Sequence, residues 1–276
     1  MKEEAMTSVT PSPSTSTGEA LLEVRNVTFW YGSSLILDDV TCSINEGEFV
    51  SIIGASGCGK STLLQLLDGG LRPGSGTVTV AGHAATIRDN TRAVVYQDFA
   101  LMPWKTVLEN VRLGLDYRRT DLSPREREEV SRHYLSRIGL GKSSNLYPYQ
   151  LSGGMKQRVG LARAFAVHPS VLLMDEPFSA LDAQNAEILR EDVRGLVAEE
   201  NRSVVFVTHN LDEALQLSDR ILLMSASPGR LKENISLVEP KKDSASWDQV
   251  HYAEYRTRLW NFLKTEVGAH SDTPED

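Results

Sequence analysis

Cysteine is scarce in this chain: Cys42 and Cys58 are the only two in 276 residues. Two thiols without metal-ligand spacing point to neither a disulfide framework nor a zinc site, so free thiols in a reducing compartment are expected. Long hydrophobic runs are missing as well, and none approaches the ~20 residues that would span a bilayer. Met1 to Ala20 contains no apolar segment of the secretory kind, and its Ser/Thr/Pro stretch, Thr7 to Thr17, predicts a disordered leader over residues 1–20. Basic residues are in deficit, 29 Lys and Arg against 37 Asp and Glu, and the net charge of −8 disfavours nonspecific adhesion to nucleic acid. No internal repeat is visible. These features together predict a cytosolic protein. What remains is ordinary for a folded chain: 41% hydrophobic residues, and length for one large domain or two small ones.

Against that background one segment carries most of the information. Gly54-Ala55-Ser56-Gly57-Cys58-Gly59-Lys60-Ser61 fits G-x-x-x-x-G-K-[ST], a loop that wraps nucleotide phosphates. Its flanks fit too. Phe49 to Ile53 is apolar and β-branched and reads as a buried strand, and Thr62 to Leu67 reads as a helix, the order the motif requires. Glycines let the backbone curl so that N–H groups face an anion, and the helix start adds partial positive charge. Lys60 can bring a full charge to the terminal phosphates, the Ser61 hydroxyl can hold Mg2+, and Thr62 can add a phosphate contact.

The remaining patterns alternate between strands and helices. Leu21 to Tyr31, Thr41 to Ile44, Thr77 to Gly82 and Ala93 to Tyr96 read as strands, with a turn at Arg72-Pro73-Gly74-Ser75-Gly76. Thr106 to Ala166 is helical in pattern, and Ser123-Pro124-Arg125-Glu126 carries the signals of a helix start. Val171 to Met174, Ser203 to Thr208 and Ile221 to Met224 are continuous apolar runs, as in a parallel sheet covered on both faces. Gln184 to Glu200 and Trp247 to Val267 read as helices, and His270 to Asp276 as a polar tail. The run ending at Met174 is followed by Asp175 and Glu176. A carboxylate at such a strand end can hold Mg2+ and its neighbour can polarise a water, which assigns the metal to Asp175 and the base to Glu176. Ser152 followed by Gly153 and Gly154 is a capped helix start with N–H groups open to an anion.

The ordered set Tyr31, Gly54–Thr62, Gln97, Leu151–Met155, Asp175–Glu176, Ser179-Ala180-Leu181-Asp182 and His209 resembles the ATPase subunit of ATP-binding cassette (ABC) transporters, over about Leu21 to Arg230. The resemblance implies an α/β fold: a P-loop NTPase core with a mixed or parallel sheet, an antiparallel β subdomain and a helical signature-motif subdomain over about 98–166. It implies an ATPase domain over 21–240 and a C-terminal helix and tail over 241–276. It also implies roles. ATP with Mg2+ is held by Gly54, Ala55, Ser56, Gly57, Cys58, Gly59, Lys60, Ser61 and Thr62; Tyr31 stacks on adenine; Gln97 approaches the metal and the attacking water; His209 contacts the γ-phosphate. Ser152, Gly153 and Gly154 close over ATP held by the other copy of a head-to-tail homodimer, whose interface Asp182 organises. Met155 stands where the family usually has glutamine.

In the family, the segment Gln97 to Val111 cradles a helix of a transmembrane permease subunit, and here it offers Phe99, Leu101, Met102 and Trp104. Its Met-Pro-Trp element, together with Ser227-Pro228-Gly229-Arg230 and Arg258-Leu259-Trp260, resembles importers of nitrate, sulfonates, taurine and related solutes. Such importers also use a separate solute-binding protein. The resemblance therefore implies a peripheral subunit on the cytoplasmic face of the membrane, with no nucleic-acid partner. Three alternatives stay open at this point: the ATPase of an exporter or lipid-handling complex, a soluble ABC ATPase outside transport, and a nucleotide-binding scaffold without turnover.

Overall fold

The structure is a computed structural model that describes residues 20–87, 90–237 and 249–271. Residues 1–19 of the expected leader, Trp247 and residues 272–276 of the expected tail lie outside the described residues. The described residues open with an antiparallel hairpin, β1 (Leu22–Tyr31) and β2 (Ser34–Ile44), and continue into β3 (Phe49–Gly54) and α1 (Lys60–Asp68). β4 (Ser75–Val80) returns beside β1, and the two-residue β5 (His83–Ala84) completes a sheet of order β2-β1-β4-β5. All its pairings are antiparallel. Alternation along β1 buries Leu22, Val24, Val27 and Phe29 on one face, as a half-buried sheet requires.

A second sheet begins with β3 and β6 (Arg92–Val95). The chain then makes α2 (Val107–Arg118), α3 (Pro124–Arg137) and α4 (Gly153–Ala166), which pack on one another. It re-enters the sheet through β7 (Val171–Asp175), passes through α5 (Ala183–Glu199), β8 (Ser203–Val207), α6 (Leu211–Leu217) and β9 (Arg220–Met224), and adds β10 (Leu231–Ser236) before α7 (Gln249–Ser271). The order is β10-β9-β3-β8-β7-β6, parallel except for the antiparallel edge strand β10. Every residue of β3 and β8 is buried, which explains their largely apolar sequences.

Local chemistry accounts for the helix ends. Thr106 and Glu109 form a reciprocal capping box on α2, and Ser123 and Glu126 form another on α3, with Pro124 at its first position. One core fills the space between the parallel sheet and α2–α5; a second lies between the two sheets and α1; a third, smaller one holds α7 through Leu259 against Leu215 and Ile235. Both cysteines are free. Among the described residues no helix is long and apolar enough to cross a membrane.

Candidate active site

The parallel register brings the expected chemistry to one end of the strands of the second sheet. β3 lies beside β8 and β8 beside β7, so Gly54, Asp175 and Val207 end together at the carboxyl end of the strands, where open α/β sheets place ligands. The phosphate loop leaves β3 at Gly54. A Cβ there would stand 2.7 Å from Cys58 Sγ and 2.9 Å from the Met224 carbonyl oxygen, so the position admits only glycine. Gly59, at φ 96°, turns the loop into α1, and a side chain there would meet Leu37 at 2.7 Å. The Lys60 ammonium sits inside this curl and donates to the carbonyls of Gly54 and Ala55, each at 2.9 Å. Cys58 is buried under the loop, and burial raises its thiol pKa despite the nearby Lys60 charge, leaving it a poor nucleophile.

The Ser61 hydroxyl donates to Asp175 Oδ1 at 3.3 Å, joining the start of α1 to the end of β7. Burial raises the Asp175 pKa; the Ser61 hydrogen bond works against that shift, while the neighbouring Glu176 charge adds to it. Two hard oxygen donors side by side fit a magnesium ion completed by phosphate and water. Glu176 has a left-handed backbone, φ 44°, fixed by its amide donating to the Val207 carbonyl at 2.9 Å and by Ser179 Oγ donating to its own carbonyl at 2.9 Å. That turn aims its carboxylate at His209, whose Nδ1 lies 3.0 Å from Glu176 Oε2. The Glu176 side chain is 21% exposed and that of His209 63%, so the pair opens to solvent on the histidine side.

The other expected residues stand on other elements of the fold. Tyr31, at the end of β1, is half exposed, rests edge-on against Phe29 at 4.9 Å and places its hydroxyl 3.5 Å from Gln65 Oε1 on α1. Gln97 is exposed just past β6, whose Val95 pairs with Met174, so it belongs to the same sheet end as Asp175. Ser152 caps α4, its hydroxyl accepting from the Met155 amide at 3.3 Å, and Ser152 and Gly153 are exposed. Gly154 approaches Leu181, so the start of α4 lies beside the turn that leads to Asp182. Asp182 caps α5, accepting from the Asn185 amide at 3.0 Å. The Met155 side chain packs partly buried against the main core, a use that glutamine would fill less well.

Two features of the site were not expected from sequence. A cavity of 180 Å3 lies behind Glu176 and His209 and is also lined by Arg190, Thr208 and Glu213. The segment Ser225–Arg230 packs under the phosphate loop: Gly229 lies against the Cys58 carbonyl, and Arg230 pairs with Asp38 at 2.8 Å. Sequence offered only a weak signal for either, a polar Thr208 closing an apolar strand and a Pro-Gly pair in a loop. A groove of 1080 Å3 runs along α7 past Val250, Ala253 and Phe262, and none of the site residues lines it.

Comparison with known proteins gives a consistent answer. The family profile described as ABC transporter matches residues 37–179. An uncharacterized ABC transporter ATP-binding protein of Methanocaldococcus jannaschii is 41% identical over 251 residues, covering 89% of this chain and 92% of that protein. The nitrate import ATP-binding protein NrtD of Synechococcus elongatus is 40% identical, covering 87% and 89%, and the bicarbonate transport ATP-binding protein CmpD of Synechocystis sp. is 38% identical, covering 98% and 97%. Among solved structures, a dimeric ATP-binding cassette in a post-hydrolysis state with ADP and Pi superimposes with a TM-score of 0.69 at 34% identity, over 78% of this chain and 98% of that one. With a phosphate loop, a strand-end carboxylate pair and these relatives, the chain belongs to the ABC transporter family, as an ATP-hydrolysing subunit of the nitrate-type branch.

Proposed function

We propose that this subunit powers an importer for a small solute, working as a head-to-tail pair beneath a permease at the cytoplasmic face of the membrane. The observation that carries the reading is the division of the site. Lys60, Ser61, Asp175, Glu176 and His209 converge on one sheet end, while among the described residues the exposed start of α4 at Ser152 and Gly153 contributes no hydrogen bond to that group. A second copy, turned about, supplies the missing anion-binding helix tip.

In this reading the backbone of Gly54 to Thr62 wraps the phosphates, Tyr31 stacks on adenine, and the Lys60 ammonium leaves the Gly54 and Ala55 carbonyls for the phosphate oxygens. Ser61, Asp175 and Gln97 would hold magnesium, which offsets phosphate charge. Glu176 accepts a proton from water as the water's oxygen attacks the γ-phosphorus in line and the bond to the ADP oxygen breaks. His209 fixes the Glu176 carboxylate and reaches the γ-phosphate. The partner's Ser152, Gly153 and Gly154 close the site, and Asp182 shapes the joint between copies. Hydrolysis loosens the pair.

The load attaches at Gln97–Val111. Trp104 is 71% exposed there, flanked by half-buried Leu101 and Met102, and Arg163 holds the bend by donating to the carbonyls of Phe99 and Ala100. The relatives named for nitrate and bicarbonate support a small inorganic or organic anion as solute, with nitrate, sulfonates and taurine as the first to test. The test is reconstitution of the full chain with its permease and binding protein in liposomes, followed by ATP-driven uptake of each labelled solute. Uptake of one of them that Lys60→Ala abolishes supports the reading; a complex whose ATP hydrolysis drives solute outward refutes it.

A further inference from the structure

The cavity behind Glu176 and His209 contains polar chemistry that the hydrolysis scheme above does not use. Thr208 is 1% exposed and Glu213 is 6% exposed. The Thr208 hydroxyl donates to Glu213 Oε2 at 2.7 Å and accepts from the Asn210 amide at 3.0 Å. One hydroxyl therefore closes a tight turn whose middle residue is His209. Its backbone is tied as well, because the Thr208 amide donates to the Ile52 carbonyl at 3.3 Å, on the strand that feeds the phosphate loop. The carboxylate is held in turn from α5: Arg190 Nη1 lies 3.5 Å from Glu213 Oε1, and Arg190 also pairs with Glu187. From the other side, Asn210 Oδ1 accepts from the amides of Asp212 and Glu213 at 2.9 and 3.3 Å, so the start of α6 is locked to the same turn.

Burying a carboxylate so near the negative Glu176 is costly and needs compensation by its partners. A merely structural cap for α6 is already supplied by Asn210. We infer that Thr208, Glu213 and Arg190 form a buried positioning network that holds the His209 ring at hydrogen-bond distance from the Glu176 carboxylate. None of the three touches the reacting atoms; they act through His209, and the inference rests on the reading of His209 as a contact of the reacting phosphate. His209 itself is mostly exposed, so packing alone does not fix its ring. The hydrogen-bonded turn fixes the backbone from which the ring extends, and a displacement of about 1 Å at such a group is enough to slow chemistry severely.

The test is a double-mutant cycle on the full chain, reading kcat, KM and nucleotide affinity. Thr208→Val keeps the shape and removes the hydroxyl; it should lower kcat by about tenfold or more while nucleotide affinity stays within about twofold. Thr208→Ser should restore the rate. In a His209→Ala background the Thr208→Val change should cost nothing further. Glu213→Gln, which keeps the acceptor and the volume but breaks the Arg190 pair, should show the same dependence on His209 and serves if the valine variant fails to fold. An equal loss from Thr208→Val with and without His209, or a normal kcat in Thr208→Val while His209→Ala is slow, overturns the network. An unchanged rate in His209→Ala alone removes the role of His209, and with it the network's purpose.

Discussion

Replacing Gly229 with alanine should weaken nucleotide binding although the residue lies outside the phosphate loop. A Cβ at Gly229 would stand 2.0 Å from the Cys58 carbonyl oxygen and 2.9 Å from Met224 Cε. Ordinary carbon–oxygen contacts lie near 3.3 Å, so about 1.3 Å of separation must be found. Gly229 cannot retreat easily. Its amide donates to the Ile36 carbonyl at 2.8 Å, and its own carbonyl accepts from the Asp38 amide at 3.0 Å. Arg230 adds the ion pair to Asp38, and the Arg230 amide donates to Ser225 Oγ at 2.9 Å. The side that gives is the phosphate loop, where the Cys58 amide makes a long 3.3 Å hydrogen bond to the Ala55 carbonyl. Overpacking of this kind costs about 1–3 kcal/mol. If the strain is relieved mainly by moving the loop, ATP affinity falls by roughly 10- to 100-fold. Titration with a fluorescent ATP analogue reads this directly. Gly195→Ala is the control: it lies inside α5, no atom stands within 4 Å of the added carbon, and it should gain up to ~1 kcal/mol of stability with binding unchanged. Wild-type affinity in Gly229→Ala would refute the claim that this loop supports the phosphate loop.

Three further outcomes are expected. Glu176→Gln should keep ATP binding, lower turnover by about 10²–10⁴-fold and elute as a nucleotide-dependent dimer in size-exclusion chromatography; steady-state hydrolysis at the wild-type rate would remove Glu176 as the base. Leu259→Ala empties a fully buried position under α7 and should cost about 2–5 kcal/mol in denaturant unfolding, a loss that an unchanged midpoint would contradict. Hydrogen bonds from the Thr106 amide and hydroxyl lower the Glu109 pKa below the usual 4.5, so its contribution to stability is present above that value and is lost as pH falls through the lowered one. Glu109→Gln should therefore lower the melting temperature at pH 7 and do so progressively less in acid; a difference that does not change with pH would count against the capping box.

Sequence and structure agree where local rules govern. β3, β7, β8 and β9 are largely apolar because both faces of a parallel sheet are covered, and that signature needs no tertiary knowledge. The start of α3 was equally legible, since Ser123, Pro124 and Glu126 cap within one turn. Elements went unread where those rules are weak. β10 has the sequence LKENIS and buries only Ile235, as an antiparallel edge strand can; α6 has seven residues, too few to display a period; β5 has two. The long β2 was read only in its last four residues, because Asp38 and Asp39 interrupt the apolar pattern, and Asp38 turns out to hold Arg230.

The site divides along the same line. A motif names groups that face a phosphate, because those groups are fixed by one strand, one turn and one helix. It says nothing of what fixes the turn. Arg230 reaches Asp38 across 192 positions and Arg190 reaches Glu213 across 23, so no window of sequence contains either pair. Gly229 is glycine because of a carbonyl oxygen far away in sequence, and Thr208 is a hydroxyl because a carboxylate on the next helix is buried beside it. Substitutions at such positions act on the chemistry through backbone placement, so their effects should follow the geometry of the contact broken rather than the distance from ATP.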